Sequence, residues 1–420
     1  MNAELLFYII VTIVIMDYLV DRYLEYLNAK YRGKSLPNEL KGIYDEDRYK
    51  KSQEYEAANH RFSLFSSSFN LLVIILFLFL EGFAFVNDLA NSITTHKLFV
   101  PLVFFGILFL ALDLVNLPFS LYATFVIEEK FGFNKTTSRT FILDKIKGYM
   151  LMTILGGGIL VLIVWFYHQT GNNFWLYAWG IVIIFSLFLT MFYTHLILPL
   201  FNKLTPLEEG NLKSQIINFS KKVGFQLKNI FVMNGSKRST KANAFFSGLG
   251  RKKRIVLFDT LIEDLKNNEI VAVLAHEIGH YKKKHTLINL IISIVQTGLT
   301  LFILSLLIDN PMLSNALGIA QPSFHIALIT FSLLYSPIST LLGIATNYIS
   351  RQNEYTADAF VKYHGLGDSL IEALKRLSSK NLSNLTPHPT YVFVNYSHPT
   401  LLQRIHSIKN QSESNEYHED

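Results

Sequence analysis

The chain has 420 residues, of which half are hydrophobic, 14% are aromatic and only 17% are charged. Soluble proteins normally carry about a quarter charged residues, so this composition excludes an ordinary soluble globular protein and indicates a membrane protein. The absence of cysteine excludes disulfides, thiolate metal ligands and a thiol nucleophile. The net charge of +6 suits basic loops beside a membrane and gives no reason to expect a nucleic-acid partner.

Seven apolar stretches are long enough to cross a membrane as helices. They are residues 5–20, 64–86, 98–127, 149–167, 174–200, 287–308 and 324–349. Lysine and arginine concentrate in alternate connecting segments, which predicts an N-terminus outside and a C-terminus inside. The first stretch lacks the basic region and the cleavage site of a signal peptide, so we expect it to be retained as a span.

Several predicted spans contain polar side chains that lipid would reject. They are Asp17, Glu81, Asp113, Asn116 and His195. A carboxylate that faces hydrocarbon costs at least about 2.5 to 3.5 kcal/mol, so we expect these side chains to face the interior of a helix bundle. Two interpretations stay open, namely pairwise contacts between helices or a water-filled space among the helices.

The pattern of spans and polar segments predicts the domain organisation. The predicted units are residues 1–200 with spans one to five, 201–285 as a cytoplasmic insertion, 286–349 with the last two spans, 350–410 as a C-terminal helical segment, and 411–420 as a disordered tail. Within the insertion we expect an amphipathic helix at 210–224 and strands at 230–233 and 255–258. A free strand edge beside a catalytic cleft can bind an extended peptide through its backbone.

An HExxH motif, His276-Glu277-Ile278-Gly279-His280, lies on a predicted apolar helix. Residues four apart on a helix lie within roughly 40° of each other, so both imidazoles can bind one metal ion. Zn²⁺ accepts neutral imidazole and lowers the pKa of a bound water to about 7, while a nearby carboxylate can take the proton. The motif predicts zinc-dependent peptide hydrolysis with Glu277 as general base. A chance match on a surface helix is the alternative, and the apolar flanks argue against it.

Catalytic zinc needs a third protein ligand, and Glu354 in a later predicted helix is the candidate. Asp358 follows four residues later, so one carboxylate can bind the ion while the other orients a ligand imidazole. A solvated helix face that carries two charges is the alternative interpretation. His285, five residues after His280, is predicted to lie on another helix face and outside the site.

Further motifs lie outside these two helices. They are residues 117–122 with 125–137, Arg238-Ser239 with residues 243–248, Ser350-Arg351 with residues 354–358, and Ser397-His398-Pro399 with Arg404. Together with the zinc helix they extend over most of the chain. On these motifs the chain resembles the type I CAAX prenyl endopeptidase family of integral-membrane zinc metalloproteases.

The resemblance implies an all-α membrane protein in which seven transmembrane helices surround a hollow intramembrane chamber. A small α+β cytoplasmic metalloprotease portion of the gluzincin type would complete it. The expected activity is cleavage of the C-terminal aaX tripeptide from prenylated CAAX-type substrates, with one Zn²⁺ ion as cofactor. The expected partners are a prenylated or otherwise hydrophobic peptide and membrane lipid, and we expect the protein to function as a monomer.

Carried onto this sequence, the resemblance implies a role for each matching residue of the metal centre. His276, His280 and Glu354 would be the zinc ligands. Glu277 would be the general base, and Asp358 would support a ligand from behind.

The resemblance also implies residues that contact the substrate. Asn243, Ala244 and Phe245 would pair with the substrate backbone. His398 and Arg404 would stabilise the oxyanion or the substrate carboxylate. Without the resemblance, His398 is typical of a surface histidine and residues 243–245 are typical of an ordinary edge strand.

The location of the protein and two other functions are further expectations. The lack of cysteine, a short outer loop after residue 308 and a tail without a retrieval signal favour a bacterial inner membrane over the endoplasmic reticulum. An HtpX-type quality-control protease is one alternative, although that type has fewer spans. A chamber that binds lipidated peptides without catalysis is the other, and it would have no use for Glu277.

Overall fold

Helices dominate the structure, a computed structural model that describes residues 2–225, 227, 230–247 and 254–410. The α-helices are α1 Ala3–Lys30, α2 Glu46–Phe79, α3 Gly82–Ile93, α4 Val100–Tyr122, α5 Ser138–Leu151, α6 Gly158–Thr170, α7 Phe174–Phe192, α8 Leu198–Phe201, α9 Asn211–Lys222, α10 Asp259–Asp264, α11 Asn267–Lys282, α12 His285–Leu307, α13 Pro311–Asn315, α14 Phe324–Tyr363, α15 Gly367–Lys380, α16 Pro389–Asn395 and α17 Leu401–Asn410. The strands are β1 Leu204–Pro206, β2 Ile230–Met233, β3 Ala244–Ser247 and β4 Arg254–Phe258. The predicted tail at 411–420 lies outside the described residues.

Within the described residues, six helical stretches are long and apolar enough to cross a membrane. They are Ala3–Lys30, Glu46–Phe79, Val100–Glu128, Ser138–Phe201, His285–Leu307 and Phe324–Tyr363. The stretch Ser138–Phe201 contains two predicted spans, which are joined by the 3-10 turn Gly171–Asn173 and pack together through Phe166 and Tyr177, whose ring centroids lie 4.7 Å apart. The predicted count of seven spans therefore stays a prediction.

The first two helices extend well beyond the apolar stretches that identify them in the sequence. α1 continues to Lys30, and α2 begins at Glu46, where the Asp45 side chain accepts a hydrogen bond from the Arg48 backbone N–H at 2.7 Å. The segment between the first two predicted spans is therefore largely helical. Hydropathy marks only the part of a helix that lipid surrounds, so it does not detect polar helix ends.

The second predicted span, 64–86, is wrong at its end. α2 stops at Phe79, Glu81 adopts a left-handed conformation with φ 52°, and α3 starts at Gly82. The turn is tight, because a Cβ on Gly82 would lie 2.4 Å from the ring of Phe77. A hydropathy average passes over such a break because the residues on both sides of it are apolar.

The longest helix, α14, runs without interruption from a predicted span into the predicted third-ligand segment. It has 40 residues, which is about 60 Å of helix. The sequence pattern separates a span at 324–349 from a helix that begins at residue 352, but the structure joins them into one element. Glu354 and Asp358 are therefore fixed rigidly to a helix that also crosses the membrane.

Three of the five polar side chains in the predicted spans make pairwise contacts between helices. The pairs are Asp17 with Ser336 at 2.5 Å, Lys145 with Asp113 at 2.6 Å, and Asn70 with Asn116 at 3.2 Å. These contacts join α1 to α14, α4 to α5, and α2 to α4. A polar contact of this kind satisfies groups that lipid cannot solvate.

A four-stranded sheet with the order β1-β2-β4-β3 is built from strands within residues 204–258. The two predicted strands correspond to β2 and β4, which pair in parallel, while β1 and β3 add an antiparallel strand at each edge. The predicted helix at 210–224 corresponds to α9. The edge strand β3 lies near α11, where Phe246 packs on Tyr281 with ring centroids 5.6 Å apart.

We predict that Gly298→Ala destabilises the packing of α7 on α12. The Trp179 indole donates to the Ile294 carbonyl at 2.8 Å, and a Cβ on Gly298 would lie 2.7 Å from that ring. Displacing the ring breaks this hydrogen bond, and overpacking of this kind costs about 1 to 3 kcal/mol. Thermal unfolding of the detergent-purified protein measures the loss. Gly343→Ala is the control, because its Cβ meets nothing within 4 Å, and equal unfolding temperatures for the two variants would contradict the prediction.

Candidate metal centre

Helix α11 carries the two histidines of the predicted zinc motif. Glu269 anchors its start, because one carboxylate oxygen accepts the Lys266 backbone N–H at 2.9 Å and the other pairs with Arg376 at 3.0 Å. Its other faces fill the core with buried apolar side chains. These are Ile270, Ala272, Leu274, Ala275 and Ile278. The four-residue spacing then brings the imidazoles of His276 and His280 together on the remaining face, with ring centroids 4.7 Å apart.

A close contact between α11 and α14 depends on the glycine of the motif. A Cβ on Gly279 would lie 3.2 Å from the Phe360 Cβ and 3.3 Å from both Cα and O of Ala357. Ala357 itself is fully buried. Small residues on both helices therefore let the two backbones approach, and this approach brings Glu354 on α14 within reach of the histidine pair.

Three candidate ligand side chains converge at this contact. The Nε2 atoms of His276 and His280 are 3.0 Å apart. Glu354 adds its carboxylate, with Oε1 3.1 Å from His280 Nε2 and Oε2 3.3 Å from His276 Nε2. Within the described residues, this is the group of histidines and acidic residues whose geometry suits a metal ion.

The spacing of these atoms fits a zinc ion. Tetrahedral coordination with bonds of 2.0 to 2.1 Å separates ligand atoms by roughly 3.3 Å, close to the distances found here. The electrostatics also favour a cation. Burial acts to lower the pKa of His276, but the neighbouring carboxylates of Asp358 and Glu354 outweigh it and raise the pKa to about 9. A metal ion bound at Nε2 would take the place of the proton that these carboxylates favour.

His276 is held from behind by a buried ion pair. Its Nδ1 lies 2.9 Å from Asp358 Oδ1, and Arg404 binds both oxygens of that carboxylate at 2.6 and 2.9 Å. Arg404 Nη2 also lies 3.3 Å from the same imidazole nitrogen, but the shorter contact to Asp358 indicates that the Nδ1–H donates to the carboxylate. The Nε2 lone pair of His276 is then directed toward His280 and Glu354.

His280 is also supported, by a residue that the sequence pattern places outside the site. His285 Nδ1 lies 2.9 Å from His280 Nδ1, so the prediction that His285 occupies another helix face is wrong. The reason lies in the chain between the two histidines. α11 ends at Lys282, Lys284 adopts a left-handed conformation with φ 59°, and α12 begins at His285, so counting 100° per residue fails across the break.

Glu277 follows the first histidine of the motif and is half-buried. The negative charge of its carboxylate interacts with the buried Arg404 guanidinium. A carboxylate beside a metal-binding pair can accept a proton.

The predicted substrate-binding residues lie on the outer strand of the sheet. Ala244 and Phe245 belong to β3, which pairs with β4 on one side, opposite Leu257 and Val256. Asn243 precedes the strand, and its side chain accepts the Ala244 backbone N–H at 2.8 Å. In the described part of the sheet no strand pairs with the other edge of β3, so that edge is open to an extended peptide.

The two late residues occupy different positions at the site. His398 is 66% exposed, and its Nδ1 lies 3.0 Å from Glu354 Oε1. Arg404 is buried against Asp358, and its Nη1 lies 3.5 Å from Glu354 Oε2. His398 is thus open to a substrate, whereas most of the Arg404 guanidinium is engaged within the protein.

Comparison with known proteins agrees with this geometry. Residues 25–203 match the family described as CAAX prenyl protease N-terminal, five membrane helices, and residues 206–412 match Peptidase family M48. The CAAX prenyl protease 1 of Saccharomyces cerevisiae is 36% identical over 95% of this chain and 94% of its own. The CAAX prenyl protease 1 homolog of Homo sapiens is 34% identical over 89% of this chain and 88% of its own.

The chain belongs to the CAAX prenyl protease 1 family. The crystal structure of S. mikatae Ste24p superposes with a TM-score of 0.91 at 35% identity, covering 96% of this chain and 98% of the other. These matches confirm the predicted fold class, a mostly helical membrane protease with a chamber and a small sheet. They also confirm the predicted enzyme class, a membrane zinc metalloprotease of the CAAX type.

For this CAAX-type protease we predict that Gly279→Ala weakens metal binding. The added Cβ must move the backbone of Ala357, which cannot rotate away as a side chain can, and Glu354 lies one helical turn before Ala357. Competition with a chelator measures the metal affinity of the purified protein. Gly148→Ala is the matched control, because its Cβ meets nothing within 4 Å. Unchanged affinity in Gly279→Ala would show that the helix contact does not set the ligand geometry.

A second prediction concerns the carboxylate behind His276. Asp358→Asn removes a charged hydrogen-bond acceptor and leaves Arg404 buried without its partner. Changes of this kind lower metal affinity or activity by about 10- to 100-fold, so we expect a loss in that range by chelator competition. Asp368→Asn, an exposed aspartate in the first turn of α15, serves as the control. Equal metal affinity in the two variants would contradict the prediction.

Proposed function

We propose that the protein binds one Zn²⁺ ion through His276, His280 and Glu354 and cleaves the C-terminal tripeptide from prenylated CAAX-type substrates. The observation that carries the proposal is the convergence of ligand atoms from three side chains, 3.0 to 3.3 Å apart, on a helix where Glu277 follows the first of the two histidines. The donor set of two imidazoles and one carboxylate, in a chain without cysteine, matches that of catalytic zinc in other proteases.

Glu277 is the proposed general base. Bound zinc supplies a Lewis acid that polarises the scissile carbonyl and makes an attacking water more acidic. The Glu277 carboxylate takes a proton as the water oxygen bonds to the carbonyl carbon. The peptide C–N bond then breaks, and the same proton passes from Glu277 to the departing amine nitrogen.

The open edge of β3 is the proposed binding site for the substrate backbone. A peptide that adds to an edge strand gains main-chain hydrogen bonds that do not depend on most of its side chains. Asn243, Ala244 and Phe245 would make these bonds. This strand packs close to α11, so a peptide bound along it would pass the metal centre.

His398, Asp358 and Arg404 have different proposed roles. The exposed imidazole of His398, next to Glu354, would donate to the oxygen of the scissile carbonyl as negative charge develops there. Asp358 and Arg404 would act through His276, because they contact that ligand and each other. The predicted contact of Arg404 with the oxyanion or the substrate carboxylate stays a prediction.

Prenylated substrates are proposed because the relatives are named CAAX prenyl proteases and because a chamber among the spans offers an apolar surface to a lipid chain. The α14 helix connects that region to the metal centre. The proposed partners are therefore a prenylated or otherwise hydrophobic peptide and membrane lipid, with the protein acting as a monomer.

The distribution of basic residues supports a cytoplasmic metal centre and an N-terminus outside. The domain boundaries near residues 200, 285, 349 and 410 are proposed on the same pattern of spans and polar segments. The relatives described above are eukaryotic, so the preference for a bacterial inner membrane stays a prediction that these comparisons do not support.

We predict that Glu277→Gln keeps the metal and loses cleavage. The amide retains the shape of the side chain but cannot accept the proton, and loss of a general base typically lowers the rate by about 10²- to 10⁴-fold. The assay incubates purified protein with a farnesylated CAAX peptide and with the same peptide without the prenyl group. Zinc content of the same samples is measured by elemental analysis.

Each outcome of this assay selects one function. Turnover that requires the prenyl group, or is strongly improved by it, supports the proposed cleavage of prenylated CAAX-type substrates. Equal turnover of both peptides would favour a general quality-control protease. Binding of the prenylated peptide without cleavage by the unmodified protein would favour a chamber that only binds lipidated peptides.

A further inference from the structure

A chain of hydrogen bonds leads from His280 away from the metal centre. His280 Nδ1 lies 2.9 Å from His285 Nδ1, and His285 Nε2 lies 3.1 Å from Thr356 Oγ1. The Thr356 hydroxyl then donates to the Asn353 backbone carbonyl at 2.9 Å. His285 is only 5% exposed, so water does not compete strongly for its ring nitrogens.

The donors and acceptors of this chain can be assigned in one direction. The final acceptor is a carbonyl, so the Thr356 hydroxyl proton points toward Asn353 and its oxygen accepts from His285 Nε2–H. A neutral imidazole carries one proton, so His285 Nδ1 is an acceptor, and His280 Nδ1–H donates to it. His280 Nε2 is then left with a lone pair, directed toward His276 and Glu354.

The chain also joins three helices. His280 lies near the end of α11, His285 is the first residue of α12, and Thr356 lies on α14. The last acceptor, Asn353, is the residue before Glu354. The hydrogen bonds that orient one candidate ligand, His280, therefore end at the residue next to another candidate ligand, Glu354.

The hydrogen-bond partner of His280 Nδ1 differs in charge from the partner of His276 Nδ1. His276 donates to a carboxylate that a guanidinium holds in place. His280 donates to a neutral imidazole, which is backed by a hydroxyl and a carbonyl. Both arrangements fix a ring and its tautomer, which are the requirements for a metal-binding imidazole.

We propose that His285 and Thr356 are positioning residues that hold His280 in the tautomer and orientation needed for metal binding. The inference rests on the proposed zinc site and adds to it two residues that do not themselves contact the ion or the substrate. It predicts that the hydrogen-bonding capacity at position 285, and not its size or charge, determines how tightly the metal is held.

The test compares paired variants of the full chain in detergent. His285→Phe keeps the ring and removes both nitrogens, whereas His285→Asn places Oδ1 where the Nδ1 acceptor stands. Thr356→Val removes the hydroxyl at constant shape, and Thr356→Ser keeps it. Zinc affinity is measured by competition with EDTA, and the visible spectrum of the Co²⁺-loaded protein reports the ligand geometry.

We expect His285→Phe to lower zinc affinity by about 10- to 100-fold, the range observed for residues that orient a ligand. His285→Asn should restore most of that loss. Thr356→Val should give a smaller loss and a changed Co²⁺ spectrum, and Thr356→Ser should match the unmodified protein. Thr356 is exposed, so Thr356→Val keeps the proposal testable if a change at buried His285 prevents folding.

Thr340→Val is the matched control, because it removes a threonine hydroxyl elsewhere on α14 that donates to the Ser336 carbonyl and not to any group of the metal centre. It should leave zinc affinity unchanged. Tight zinc binding in His285→Phe and Thr356→Val alike would overturn the inference while leaving the proposed function intact. An unmodified protein that binds no zinc would overturn the proposed function and, with it, this inference.

Discussion

The close packing of α11 on α14 is the constraint on which the metal centre depends. The histidines and the glutamate come from helices separated by a complete membrane span, and they meet only where Gly279 faces Ala357. A methyl group at position 279 would lie 3.3 Å from the Ala357 backbone, so the separation of the helices is set by backbone atoms, which adjust less readily than side chains do. The HExxH motif supplies two candidate ligands, His276 and His280. Gly279, which lies between them, determines whether the third candidate ligand, Glu354, can reach the same point.

The membrane spans take part in building this site. α14 carries Glu354 and Asp358 on the continuation of a span, and α12 begins with His285 immediately behind His280. Two of the three helices around the metal centre are therefore extensions of the membrane part. In a peptidase domain joined to its membrane helices by a flexible linker, the helices that carry the site would not continue into the membrane spans. The arrangement fits a substrate whose lipid part and scissile bond are held by the same rigid body.

The sequence predicted those features that depend on composition or on spacing within one helix. The apolar stretches, β2 and β4, and the His276–His280 pair are of this kind. Features set by tertiary contact were missed or misplaced. The helix break at Glu81 lies within an apolar stretch, and β1 follows from pairing with β2. His285 was excluded by an angular count that the left-handed residue Lys284 invalidates. A lysine in that conformation carries no clear sequence signal, because glycine and asparagine are the residues that usually adopt it.

The unequal support of the two histidines has an electrostatic consequence. Behind His276, the charge of Asp358 is balanced by Arg404. Behind His280, the hydrogen-bonded side chains of His285 and Thr356 carry no charge. Glu354 is the one negatively charged candidate ligand, and Arg404 Nη1 lies 3.5 Å from its Oε2, so a divalent cation at this point would retain net positive charge. An unbalanced carboxylate behind His280 would reduce that charge and weaken the polarisation of a substrate carbonyl. His285 and Thr356 therefore orient the His280 imidazole without reducing the positive charge that would polarise a substrate carbonyl.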